Sequence, residues 1–268
     1  MNKKFVYFVM LSLCSLGARA ATTVDVLIIY TSEMNTYYSG NPAVKINQMI
    51  SWANVAFQNG LSDINLNLVG SAMLDVPNGH EVSNALISGI ADPANAAVMR
   101  LRNQFKPDLT IYLTKSASTA SSILCGLAYL PRSAGDPRVA SYDKLLSVAT
   151  VGYNCESYVF AHEVGHLLGA GHGLMDASGG SGYPYKYSRG YGVQSLFVDV
   201  MAYASLYGNA NKIQIFSTPT KTCAGVSCGT ANDNAAAGLR LFAPIAANYS
   251  TCYPTVTSPR APGYHFCR

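Results

Sequence analysis

Hydrophobic and polar positions follow two different periods along the first 150 residues. Val24 to Tyr30, VDVLIIY, is an apolar, β-branched run without alternation, the pattern of a strand buried on both faces. From Pro42 to about Asn59 the period becomes helical: Val44, Ile46, Met49, Ile50, Ala53 and Val55 are spaced for one packed face, and Pro42 suits a helix start. Ile64 to Val69 alternates as a strand, and His80 to Phe105 reads as a helix with a break at Asp92-Pro93. Asp108 to Thr114 and Leu145 to Val151 predict two more buried strands. Strands alternating with helices imply an α/β layer built on a mixed, twisted sheet. After His172 the texture changes. Ala177 to Gly192, ASGGSGYPYKYSRGYG, is too rich in Gly, Ser and Tyr for a regular element, and one further helix is expected from Asn232 to about Asn248. No internal repeat is found.

The first twenty residues fall outside this pattern. Lys3 and Lys4 precede an apolar run from Phe5 to Leu16, followed by Ala18-Arg19-Ala20, which reads as a secretory signal peptide with its cleavage site. The run is too short for a membrane anchor. The expected protein is therefore secreted, periplasmic or extracellular. Six of the seven cysteines lie beyond the cleavage site: Cys125, Cys155, Cys223, Cys228, Cys252 and Cys267. An even number in an exported chain reads as disulfides, and six allow 15 connectivities. The favoured pairing is Cys125-Cys155, Cys223-Cys228 and Cys252-Cys267. The formal charge of +4 falls close to neutral once Lys3, Lys4 and Arg19 are removed, so nothing points to a nucleic-acid partner.

The chemistry is concentrated in FAHEVGHLLGAGHGLMD, Phe160 to Asp176, which holds three of the five histidines. A helix ending near Gly169 puts His162 and His166 one turn apart on one face, where two imidazoles can chelate one metal ion. Continued as helix, the chain would carry His172 roughly 15 Å along the axis from His162. A zinc–nitrogen bond is about 2.0–2.1 Å, so the chain must turn back, and Gly169 sits where the turn is needed. Three imidazoles leave the fourth tetrahedral position open, the arrangement of a catalytic zinc site, and Glu163 can lean over that position as general base. The competing reading is an ordinary buried helix that happens to contain histidines.

His162-Glu163-x-x-His166-x-x-Gly169-x-x-His172 resembles the extended zinc motif of the metzincin metallopeptidases. That resemblance implies a zincin-like α+β fold and one Zn2+ ion held by the three histidines. It also implies a methionine-bearing turn beneath the metal, supplied here by Met201 in DVMAYAS, with Met201 a packed floor and not a ligand. Tyr203, two residues on, matches the position of a tyrosine that approaches the zinc and hydrogen-bonds the oxyanion in some of these families. Gly173 departs from the residues that several families carry after the last ligand.

A resemblance covering more of the chain, about Val24 to Ser250, rests on VDVLIIYT, DLTIYLT, CGLAYLP with the later Cys155, VMAY and IQIFSTP…ANDNAAAGLRL. These look like the reprolysin-like bacterial zincins that include the peptidyl-Asp metalloendopeptidases. The implied function is a secreted zinc metalloendopeptidase acting on protein or peptide substrates, with a preference for bonds before acidic residues. A cation should then face the substrate's acidic side chain, and Arg189 and Lys212 are the candidates. The expected organisation is a signal peptide (1–20), a catalytic domain (21–250) and a disulfide-stapled tail (251–268). The catalytic domain divides near residue 172 into an upper sheet-based part and a smaller irregular lower part. From the short distance between the expected cleavage site and the first strand, export without an inhibitory propeptide, as an active or partner-controlled enzyme, is the expectation. Two alternatives stand beside this reading. In one, the chain is the proteolytic A subunit of a bacterial enterotoxin that docks to B subunits through its tail; in the other, it is a zincin-like binding module without turnover, against which the intact Glu163 and histidines argue.

Overall fold

The computed structural model describes residues 20–118, 122–132, 143–177 and 182–252. The expected signal peptide and the Cys252-Cys267 pairing lie outside them. A five-stranded sheet forms the frame, built from β1 (Thr22–Tyr30), β2 (Ile64–Met73), β3 (Leu109–Thr114), β6 (Gly126–Ala128) and β7 (Val148–Gly152). Its order is β2-β1-β3-β7-β6; the first four strands are parallel and β6 runs antiparallel at the edge. Every residue of β3 and β7 is buried, which explains why these strands read as continuous apolar or small runs without alternation.

Side chains alternate across β1 and divide the core in two. Val24, Val26 and Ile28 face a cluster built from α2 (Ala43–Asn59), α5 (Ser157–Leu167) and α6 (Ala235–Ala246). Leu27 and Ile29 face α3 (Asn84–Ala91) and α4 (Ala96–Phe105) on the other side. Helices thus cover both faces of the sheet, as parallel strands require. A short α1 (Ser32–Tyr37) follows β1, and β4 (Ala117–Ser118) pairs with β5 (Ile123–Leu124). Beyond α5 the chain forms only small elements: a three-stranded sheet of β8 (Gly192–Val193), β9 (Phe197–Val198) and β10 (Asn211–Lys212), and a hairpin of β11 (Thr218–Cys223) and β12 (Val226–Cys228). The Cys125–Cys155 and Cys223–Cys228 disulfides are both formed.

The mixed sheet with its helices is the layer that the hydrophobic pattern predicts, and the α+β architecture is the one that the resemblance implies, but three boundaries differ. The helix expected from His80 to Phe105 is broken at Asp92-Pro93 as expected, but it starts at Asn84 and not at His80. Ser83 caps α3 by accepting from the Leu86 N–H, Asn95 caps α4 by accepting from the Val98 N–H, and Asp92-Pro93 separates them. The strand expected from Leu145 starts at Val148, because the backbone before it is committed elsewhere. The buried Arg102 guanidinium donates to the carbonyls of Lys144 (2.5 Å) and Leu145 (3.3 Å), which therefore do not enter the ladder. Helix α6 starts at Ala235 with Asn234 as its cap, while Asp233 turns back on Thr230.

Candidate metal centre

Helix α5 lies against α2, β6 and β7, and all its residues but Tyr158 are buried. Such a helix holds polar side chains only where a partner meets them. His162 and His166 lie one turn apart with their Nε2 atoms 3.1 Å from each other. The helix then ends in a left-handed turn: Gly169 has φ +90°, Gly169 N–H donates to the His166 carbonyl (2.9 Å) and Ala170 N–H to the Gly165 carbonyl (2.8 Å). These are the bonds of a Schellman cap, which satisfies the last carbonyls of a helix and reverses the chain. The reversal brings His172 Nε2 to 2.9 Å from His166 Nε2.

The opposite nitrogen of each ring is anchored. His162 Nδ1 meets the Val200 carbonyl at 2.9 Å, His166 Nδ1 meets the Ala170 carbonyl at 2.8 Å, and His172 Nδ1 meets the Asp176 carboxylate at 2.5 Å. Carbonyls only accept, so the Nδ1 atoms of His162 and His166 donate, leaving their Nε2 lone pairs aimed at a shared point. Burial holds the proton affinity of all three rings down: His162 well below the usual range, His166 to about 4, and His172 less so because Asp176 opposes the effect. The rings are therefore neutral near pH 7, the form that binds metal. Converging lone pairs repel one another unless a cation lies among them. The donor set fits a divalent ion, and it is the one histidine-rich cluster of this kind among the described residues.

Glu163 is buried on the neighbouring side of α5, against Gly126 of the edge strand β6. A Cβ at Gly126 would overlap the Glu163 carboxylate and force it to shift, so glycine here lets the acid hold this position. Desolvation pushes the Glu163 carboxyl up to about 8. The Cys125–Cys155 disulfide joins the chain beside Gly126 to the loop before α5, fixing the edge strand relative to the helix.

Met201 is fully buried beneath α5, where a Cβ on Gly165 would stand only 2.6 Å from its Sδ. The turn that carries it is held from both polarities. Asp199 accepts from the N–H groups of Met201 (3.1 Å), Ala202 (2.9 Å) and Ser217 (2.9 Å), while Lys212 Nζ donates to the carbonyls of Asp199, Val200 and Ala202. Tyr203 is 41% exposed, and its hydroxyl lies 3.0 Å from His172 Nε2. Of the two cations considered for substrate recognition, Arg189 is paired with Asp233 at 2.6 Å and Lys212 lies at the turn.

The sequence reading missed Asp176, Gly126, Gly165 and Asp199. Asp176 carried a signal, standing four residues after His172. Gly126 carried none, because its role depends on a strand packing against a helix distant in sequence.

Residues 43–173 match the reprolysin-like family M12B of metallopeptidases. A protein of Pseudomonas aeruginosa named peptidyl-Asp metalloendopeptidase is 30% identical over 236 residues, covering 82% of this chain and 39% of that protein. A protein of the same name from Xanthomonas campestris is 27% identical over 219 residues, covering 78% of this chain and 47% of its own length. The chain thus spans less than half of either relative. A solved structure of a chaperone–substrate complex superposes with a TM-score of 0.67 at 21% identity, covering 87% of this chain and 40% of that one, which shows a shared fold. The sequence similarity to the reprolysin-like metallopeptidases thus spans the whole histidine motif, and the likeness in three dimensions is one of fold.

Proposed function

We propose that this chain is an exported zinc metalloendopeptidase that cleaves internal peptide bonds, with a preference for bonds preceding aspartate. The observation that carries the reading is the convergence of three buried, Nδ1-anchored imidazoles beside a buried carboxylate. His162, His166 and His172 would hold zinc. A bound zinc ion supplies a Lewis acid that polarises a carbonyl and acidifies water.

The remaining work falls to this chain's own side chains. Glu163, whose desolvated carboxylate has a raised proton affinity, takes a proton from the attacking water and returns it to the leaving amine. Tyr203 stands at the mouth of the site, where its hydroxyl can donate to the oxyanion as it develops. Strand β6, outermost in the sheet and adjacent to Glu163, offers its backbone to an extended substrate. The substrate would lie between the sheet-based part through His172 and the smaller part that follows. The aspartate preference is drawn from the names of the relatives, and export is supported by two disulfides, which oxidising compartments preserve.

The test is digestion of a denatured protein mixture by the purified chain, with and without chelator, mapping every new terminus by mass spectrometry. Chelator-sensitive cuts enriched before aspartate are expected. No cuts from a chain carrying one zinc ion would contradict the reading.

A further inference from the structure

Arg189 and Lys212 both lie in the segment after the metal centre, and their charges are met in different ways. Arg189 Nε stands 2.6 Å from a carboxylate oxygen of Asp233, so its charge is already neutralised. Lys212 has no carboxylate within ion-pair distance among the described residues. Its Nζ donates to three neutral carbonyl oxygens, those of Asp199 (3.1 Å), Val200 (3.2 Å) and Ala202 (2.5 Å), and lies 4.7 Å from the centre of the Tyr158 ring. The buried Asp199 carboxylate of the same turn attracts this half-buried ammonium from beyond ion-pair distance but is itself engaged by three backbone N–H groups, so no carboxylate is in direct contact with Lys212 Nζ among the described residues.

The position of this ammonium is fixed by the metal centre. The Val200 carbonyl that accepts from Lys212 also meets His162 Nδ1. Tyr158 stands one turn before His162 on the same helix. Ala202, the third acceptor, precedes Tyr203, whose hydroxyl meets His172 Nε2. A peptide with its reacting carbonyl at the histidine cluster therefore brings a side chain next to the cleaved bond within reach of this ammonium, since consecutive residues are about 3.8 Å apart.

We propose that Lys212 is the specificity-determining residue of this site, receiving the carboxylate of an aspartyl side chain that immediately follows the cleaved bond. The inference rests on the peptidase reading above. All three ammonium protons have carbonyl acceptors in the free protein, so the carboxylate must displace one. The bonds to Asp199 and Val200 are the longer ones, and a charge-assisted bond is roughly twice as strong as a neutral one. Asparagine has the same shape without the charge and gains no such advantage.

Matched peptides carrying Asp or Asn after the cleaved bond separate the two. The wild-type protein should favour Asp by about 10- to 100-fold in kcat/KM. Lys212→Met should bring that ratio towards one while bound metal stays at one ion per chain, and Lys212→Arg should keep a preference for Asp. Lys212→Gln, which retains N–H donors for the carbonyls, serves as a second neutral variant. An Asp preference that persists in both neutral variants would overturn the inference, as would loss of the metal from both, because Lys212 would then be a brace for the turn alone. A wild-type protein that cleaves neither peptide defeats the peptidase reading itself, a result distinct from either of these.

Discussion

His162 Nδ1 lies 2.9 Å from the carbonyl oxygen of Val200, a residue 38 positions further along the chain. One hydrogen bond thus joins the helix that bears two of the histidines to the turn that bears Met201. The orientation of the first imidazole is set by the same backbone that supports the helix from below, so the site depends on close packing between the two segments.

Gly165→Ala tests that packing. The added Cβ would stand 2.6 Å from Met201 Sδ and 3.0 Å from Phe216 Cε1, and a close-packed interior has little room to yield. The variant should lose about 1–3 kcal/mol of stability, read by denaturant unfolding, and bind zinc more weakly. A variant as stable as the parent would show that the turn can retreat.

Glu163→Gln preserves the shape of the side chain and removes its basicity. Metal stoichiometry should be unchanged while kcat falls by about 100-fold or more. Measuring bound metal by atomic spectrometry alongside turnover separates a proton-transfer role from a ligand role; loss of the ion would point to the second.

Asp176 meets His172 Nδ1 at 2.5 Å, the carboxylate–histidine arrangement that orients a metal ligand. Asp176→Asn should weaken zinc binding by about 10- to 100-fold, seen as a shift in a competition titration with a chelating dye. Unchanged affinity would show that the backbone reversal at Gly169 alone sets the ring.

Tyr203→Phe removes the hydroxyl that lies 3.0 Å from His172 Nε2 and keeps the ring. If that hydroxyl stabilises the developing oxyanion, kcat should drop by about 100-fold with KM and bound metal nearly constant. A change confined to KM would indicate a substrate-packing role.

Four of the five strands and the helices around β2 were legible because their apolar periods are long and β1, β3 and β7 are buried on both faces, whereas the three-residue β6 is too short to show a period. What periodicity could not reveal was where side chains intercept the backbone: Ser83 caps α3 and so delays a helix expected from His80, and Arg102 holds the carbonyls ahead of β7. The histidine motif was readable because i,i+4 spacing and one glycine prescribe its geometry locally. Gly126, Asp199 and Gly165 were not, since each acts on an atom brought near only by the folded chain. The small sheets and hairpin after His172 have strands too short to leave a periodic trace.

The most direct test of the metal centre is the rate of cleavage of a peptide containing aspartate as zinc is returned to protein stripped by a chelator. The rate should be lost on stripping and recover in proportion to added zinc, reaching a plateau at one ion per chain. Full cleavage by metal-free protein would contradict the assignment of His162, His166 and His172 as the ligands of a catalytic ion.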